Sequence, residues 1–146
     1  MSVACTKCGA VYTTENTCES IFYEFLALEF TDPDYYGRVH FLTVACYMIQ
    51  HEGYSDEYYA WIQNTLRNYL EEGHTIQMIL KDAAQSSGRT VGIRRSADAH
   101  PLPKISWSMT IADVAEQMNS AESYSELIEQ LGRITLQEMG PIVGSK

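Results

Sequence analysis

No stretch of this 146-residue chain approaches the ~18 consecutive apolar residues of a membrane span, and Met1 to Cys8 lack the apolar core of a secretory leader. No membrane partner is expected, and the chain reads as cytoplasmic. Cationic side chains are scarce as well. Ten Lys and Arg face nineteen Asp and Glu, a formal net charge of -9, which opposes unassisted binding to nucleic acid or to an anionic surface. The chain also lacks a Gly-rich phosphate cradle and a Gly-x-Ser-x-Gly nucleophile turn, which argues against nucleotide hydrolysis and serine-esterase chemistry. No segment repeats another, so solenoid architectures are excluded. What is present is an ordinary globular composition, 45% hydrophobic and 20% charged, in a length that suits one domain spanning residues 1–146.

Four cysteines are few for a disulfide scaffold. In a reducing compartment Cys5, Cys8, Cys18 and Cys46 suit metal ligation or free thiols better than two disulfides. Residues 1–17 are short, polar and Thr-rich around Cys5-Thr-Lys-Cys8-Gly9, a composition that fits a metal-held knuckle better than a regular element. From Cys18 the pattern turns helical. Phe22, Phe25, Leu26 and Glu29 follow helical spacing over about 19–30, and the Thr31 to Gly37 stretch, with Pro33 inside it, supplies the stop. Residues 39–51 form a second helix that places His40, Val44, Tyr47 and His51 on one stripe. Ser55 caps a third helix that Gly73 ends, and Thr75 opens a fourth that closes at Ser86-Ser87-Gly88. Residues 86–107 read as a long connection. Beyond it Thr110 and Asp113 make a capping box before a short helix, and Ser120 caps a longer one interrupted by Gly132. The expected fold is all-α, a compact bundle of five or six helices with a small N-terminal zinc knuckle. It comprises a knuckle (1–17), a helical core (18–85), a basic connecting loop (86–107) and C-terminal helices (108–146).

Cys5-x2-Cys8 lets two thiolates of one tight turn point at a single tetrahedral ion, with Gly9 able to take a left-handed backbone. Cys18 starts the first helix, where the helix dipole favours a thiolate. The first two helices, joined by a short turn, should lie antiparallel, so the start of one meets the end of the other and His51 becomes the fourth ligand. His40, eleven residues earlier, would sit ~16 Å away along the axis and should face Glu29 instead. Cys46 is the alternative fourth ligand, since a thiolate also binds zinc.

These residues carry a resemblance. The chain resembles the bacterial family catalogued as domain of unknown function 5946 in Cys5-Thr-Lys-Cys8-Gly9-Ala10, in Cys18 before an aromatic and acidic helix, and above all in Val39-His-Phe-Leu-Thr-Val-Ala-Cys-Tyr-Met-Ile-Gln-His51. A weaker echo is Met109-Thr-Ile-Ala-Asp-Val114. The resemblance implies a helical, cysteine-marked protein and no established activity. Two departures stand out: the family pattern often has Asp where this chain has Cys46, and Pro where it has Glu52. A general-acid role at position 46 would not carry over.

The 86–107 segment carries Arg89, Arg94, Arg95 and Lys104 against Asp98 alone. It fits either an anion contact or a loop that lies on the acidic body of its own protein. Tyr58, Tyr59, Trp61 and Tyr69 give the third helix more aromatic area than one core stripe needs, which suits a homodimer interface or a cover for the knuckle. The leading expectation is a small cytoplasmic binding or interaction module with a structural zinc, its partner an unidentified protein or small molecule. The rival is a hydrolase-like metal enzyme with an open zinc site, or one using Glu29 and His40 as an acid and base pair.

Overall fold

A computed structural model describes residues 3–5, 7–12, 17–51, 53–54, 56–79, 81, 105 and 107–139. Two-residue strands β1 (Val3–Ala4) and β2 (Val11–Tyr12) pair antiparallel, Val3 opposite Tyr12 and Ala4 opposite Val11, and flank the Cys5 to Ala10 turn. The expected knuckle is therefore closed by a short ribbon. Five helices follow: α1 (Cys18–Phe30), α2 (Pro33–Gln50), α3 (Asp56–Glu71), α4 (Ile111–Gln117) and α5 (Ala121–Met139). Residues 76–79 are a further piece of helix. The architecture is the expected helical bundle with a cysteine-bearing N-terminus. The basic residues Arg89, Arg94, Arg95 and Lys104 lie outside the described residues, as does most of the 86–107 segment.

Local chemistry explains where the helices start and stop. Thr17 and Ser20 cap α1 reciprocally: the Ser20 amide donates to the Thr17 hydroxyl at 3.1 Å, and the Thr17 amide to the Ser20 hydroxyl at 2.9 Å. The reading of Thr31 to Gly37 as a stop needs correcting. Pro33 ends α1 and also occupies the first turn of α2, where its missing N–H costs nothing, and Asp32 caps that turn by accepting from the Tyr35 amide at 3.1 Å. α2 thus begins six residues earlier than 39 and carries Gly37 inside it. Gly73, at φ +75°, closes α3, with the His74 amide donating to the Asn68 carbonyl at 3.0 Å. Thr110 and Asp113 cap α4, the Thr110 amide donating to the Asp113 carboxylate at 2.8 Å. Ser120 caps α5 by accepting from the Ser123 amide at 3.1 Å.

α2 is the central helix, packed against α5, α1 and α3. Val39, Leu42, Ala45, Cys46 and Ile49 are buried along one side of the cylinder, and Phe41, Val44, Tyr47 and Met48 on the other side are apolar and partly buried, which is why its sequence shows no single apolar stripe. α5 closes the other side through Tyr124, Ile128, Leu131 and Leu136. Gly132 lies where α5 packs closely on its neighbours, since a Cβ there would stand 3.1 Å from a Leu42 methyl and 3.6 Å from one of Leu70. Gln50 ties the end of α2 to the C-terminal half: its amide donates to the Met109 carbonyl at 2.9 Å and to the Thr135 hydroxyl at 3.1 Å. The aromatics of α3 also pack inward. Tyr59 is buried and Tyr58, Trp61 and Tyr69 are partly so, with Tyr58 against Tyr54 and Trp61, and Tyr69 against Phe41. Tyr58, Trp61 and Tyr69 keep part of their surface in solvent.

The two helical glycines should respond oppositely to substitution. A Cβ at Gly37 meets nothing within 4 Å, so Gly37→Ala should stabilise the fold by about 0.5–1 kcal/mol. Gly132→Val overpacks the α2–α5 contact and should cost about 1–3 kcal/mol. Thermal or urea unfolding of the two variants checks both signs.

Candidate metal centre

The knuckle is shaped by its own backbone. The Cys5 amide donates to the Ala10 carbonyl at 2.7 Å and the Gly9 amide to the Cys5 carbonyl at 3.0 Å, while Gly9 takes φ +83°, a conformation that side-chain-bearing residues rarely adopt. This turn brings the Cys5 and Cys8 sulfurs towards the first turn of α1, which supplies Cys18. The fourth group comes from the end of α2. Equal steps along the antiparallel pair α1 and α2 match Cys18 with His51, Phe22 with Tyr47, and Glu29 with His40: the last two pairs touch, at 4.0 Å between ring centres and 2.8 Å between Nδ1 and the carboxylate. One ligand atom from each of Cys5, Cys8, Cys18 and His51 lies within 4.8 Å of the other three. The four are close enough to hold a metal ion, and among the described residues no other cluster of three or more His, Cys, Asp or Glu is so placed.

Orientation and charge fit a soft divalent cation. The Sγ atoms of Cys8 and Cys18 are 3.5 Å apart, near the ~3.8 Å edge of a tetrahedron with metal–sulfur bonds of ~2.3 Å. The His51 ring donates from Nδ1 to the Tyr47 carbonyl at 2.7 Å, so that in the neutral imidazole Nε2 carries the lone pair. That Nε2 is buried and has no hydrogen-bond partner among the described residues. A buried lone pair pointing into a group of three sulfurs is costly unless something accepts it, and a metal ion does. The ring is further held by stacking on Tyr47 at 4.4 Å, and Tyr47 in turn stacks on Phe22.

The protons respond to the crowding of these groups. Burial would raise the Cys5 pKa, but the backbone N–H groups of Cys8 and Lys7 stabilise its thiolate and leave it below the ordinary thiol value. Cys8 is raised, first by sharing a proton with Cys18 and then by burial. Burial would lower the His51 pKa, but the Cys18 sulfur, the Tyr47 carbonyl and the negative charge of Cys18 and Cys5 raise it. The negative charge of neighbouring sulfurs contributes to the upward shifts of Cys8 and His51, a repulsion between thiolates that a central divalent cation would offset.

The profile of one protein family matches residues 3–140, a span that contains all four of these residues. The chain belongs to the family of unknown function DUF5946. No curated protein matches it, and no solved structure does.

In this DUF5946 protein Cys46 does not belong to the group of four. It stands five residues before His51, so it projects from a different side of α2, and it is fully buried in the core near Thr135. Desolvation pushes its thiol up to about 12. Glu29 and His40 do meet, but in a larger group than the spacing suggested. The Glu29 side chain is only 3% exposed, whereas that of His40 is 55% exposed, so the carboxylate is sealed and the imidazole is not. Thr43 donates to Glu29 Oε2 at 2.5 Å, and the Tyr124 hydroxyl donates to the same oxygen. Burial and this contact with Glu29 raise the Tyr124 pKa. Thr43 follows His40 on α2 by three residues and was findable from helix geometry. Tyr124, ninety-five residues from Glu29, carried no such signal.

Two outcomes follow. Zinc affinity should fall strongly in His51→Ala and little in Cys46→Ala or His40→Ala, and X-ray absorption should show three sulfurs and one nitrogen about the ion. Glu29→Ala takes the acceptor from the buried Tyr124 hydroxyl, while Thr43 keeps the Val39 carbonyl at 3.1 Å, and should cost about 1–3 kcal/mol, measured by chemical unfolding, with Tyr124→Phe costing less.

Proposed function

We propose that the protein is a small interaction module whose N-terminal half is stapled by one structural zinc ion held by Cys5, Cys8, Cys18 and His51. The observation that carries this reading is the orphaned, buried Nε2 of His51 facing three sulfurs. Three thiolates and an imidazole fill tetrahedral zinc and leave no position for a water, so the ion would stabilise structure rather than act as a Lewis acid. Its ligands come from the knuckle, the start of α1 and the end of α2. A single ion would therefore join three separate segments of the chain. A thiolate site persists where thiols stay reduced, so the reading carries a cytoplasmic location with it.

A second reading has one observation in its favour. His40 is held by the buried Glu29 carboxylate through Nδ1 while much of the ring reaches solvent, the arrangement of an oriented general base. Turnover of activated esters or phosphoesters that disappears in His40→Ala, with zinc content unchanged, would support a hydrolase and count against a purely structural role.

For the leading reading, protein purified without added metal should contain about one zinc per chain, and Cys5→Ser or Cys18→Ser should lose it. Chelation should strip hydrogen-exchange protection from residues 1–52 before the C-terminal helices lose theirs. Full protection in that segment after metal removal would rule out the staple. Lowering the pH should release the ion, because each ligand must shed a proton to bind it.

A further inference from the structure

α1 uses one side to close the core: its buried residues are Cys18, Ile21, Phe25 and Glu29. Its opposite side is not polar, as the solvent side of a helix normally is. Tyr23 and Phe30, 59% and 83% exposed, stand seven residues apart, with exposed Ala27 between them and partly buried Leu26 alongside. They form an outward apolar stripe two turns long, ~11 Å. Exposed Tyr35 lies just across the turn into α2. Of the four large hydrophobic side chains exposed among the described residues, only Met78 lies outside this segment. The flanks carry one sign of charge. From Cys18 to Gly37 every charged residue is acidic, and Glu19, Glu24, Asp32 and Asp34 are exposed.

We propose that this face of α1 is a docking surface for a cationic amphipathic helix of a partner protein. Its apolar side chains, spaced at i, i+4 and i+7, would cover Tyr23, Ala27 and Phe30, and its Lys or Arg residues would meet Glu19, Glu24, Asp32 and Asp34. Charge selects this occupant. A second copy docked through the same face would bring the acidic flanks together, and an anionic lipid surface would be repelled in the same way. The proposal supplies a partner class for the interaction-module reading and rests on it, since the ion that would bind Cys18 anchors the first turn of the docking helix.

The test uses the full chain, isotope-labelled and titrated with three synthetic peptides: a Leu/Lys peptide with its Leu residues on one helical face, an isomer with the same Leu and Lys residues scattered, and a Leu/Glu analogue of the first. The facially ordered Leu/Lys peptide should shift resonances within residues 19–35, and Phe30→Ser should weaken it about tenfold. Raising the salt from about 0.05 M to about 0.5 M should weaken it further. Phe30→Ser and Tyr23→Ser should melt near the parent temperature, because both side chains are exposed. Equal affinity for the scattered isomer, binding of the Leu/Glu peptide, or shifts elsewhere would overturn the proposal. So would self-association or neutral-vesicle binding that Phe30→Ser abolishes. Zinc is measured in the same samples. A zinc-replete protein that ignores the peptide removes the docking surface and leaves the metal centre; a zinc-free protein that binds the peptide does the reverse.

Discussion

The antiparallel register of α1 against α2 is the constraint on which the rest of the molecule depends. Equal steps along the two helices set His51 beside Cys18 at one end and His40 beside Glu29 at the other, with Phe22 stacked on Tyr47 between them. A slip of one residue would rotate each partner by about 100° and break all three pairings at once. The register is fixed at the turn, where Asp32 and Pro33 end one helix and begin the next with almost no slack. Both polar ends of the hairpin thus inherit their geometry from a connection of two residues, which explains how a cluster and a buried carboxylate so far apart can both be well placed.

Much of this was legible in the sequence because it rests on local spacing. The Cys5-x2-Cys8 turn, Thr110 with Asp113, and the four-residue period from Tyr47 to His51 are short-range features whose geometry hardly depends on the remainder of the fold. Choosing His51 over His40 needed only helix rise and antiparallel packing. The errors came from longer-range facts. Pro33 signals locally the end of a helix, and its second role in starting another depends on Asp32 capping the new turn. Cys46 looked like a spare ligand until the core on the α5 side claimed it, and Tyr124 reaches Glu29 across ninety-five residues that no periodicity links. The α3 aromatics stand out on a helical wheel as excess area, and a wheel cannot show Tyr54 and Phe41 arriving from other segments to cover part of it.

The buried polar groups divide the molecule's specificity between two kinds of bond. Around Glu29, two hydroxyls and an imidazole satisfy a carboxylate in an otherwise apolar layer, an arrangement that penalises any alternative packing of α1, α2 and α5. At the other end, Gln50 and His51 are adjacent yet serve different halves. Gln50 holds the Met109 carbonyl and Thr135, and His51 faces the sulfurs. The last turn of α2 therefore positions the cysteine cluster relative to the C-terminal helices.

That cluster has a further property: all four of its members fall within the first 51 residues, whereas the contacts of Gln50 span 59 and 85 residues. Loop-closure entropy makes the short-range pairing of α1 with α2 the easier event, so the hairpin and its sulfurs can come together while the C-terminal half is still being synthesised. An ion captured at that stage would present a finished hairpin as a template, and α5 would add last, bringing the Tyr124 hydroxyl to a carboxylate already in place.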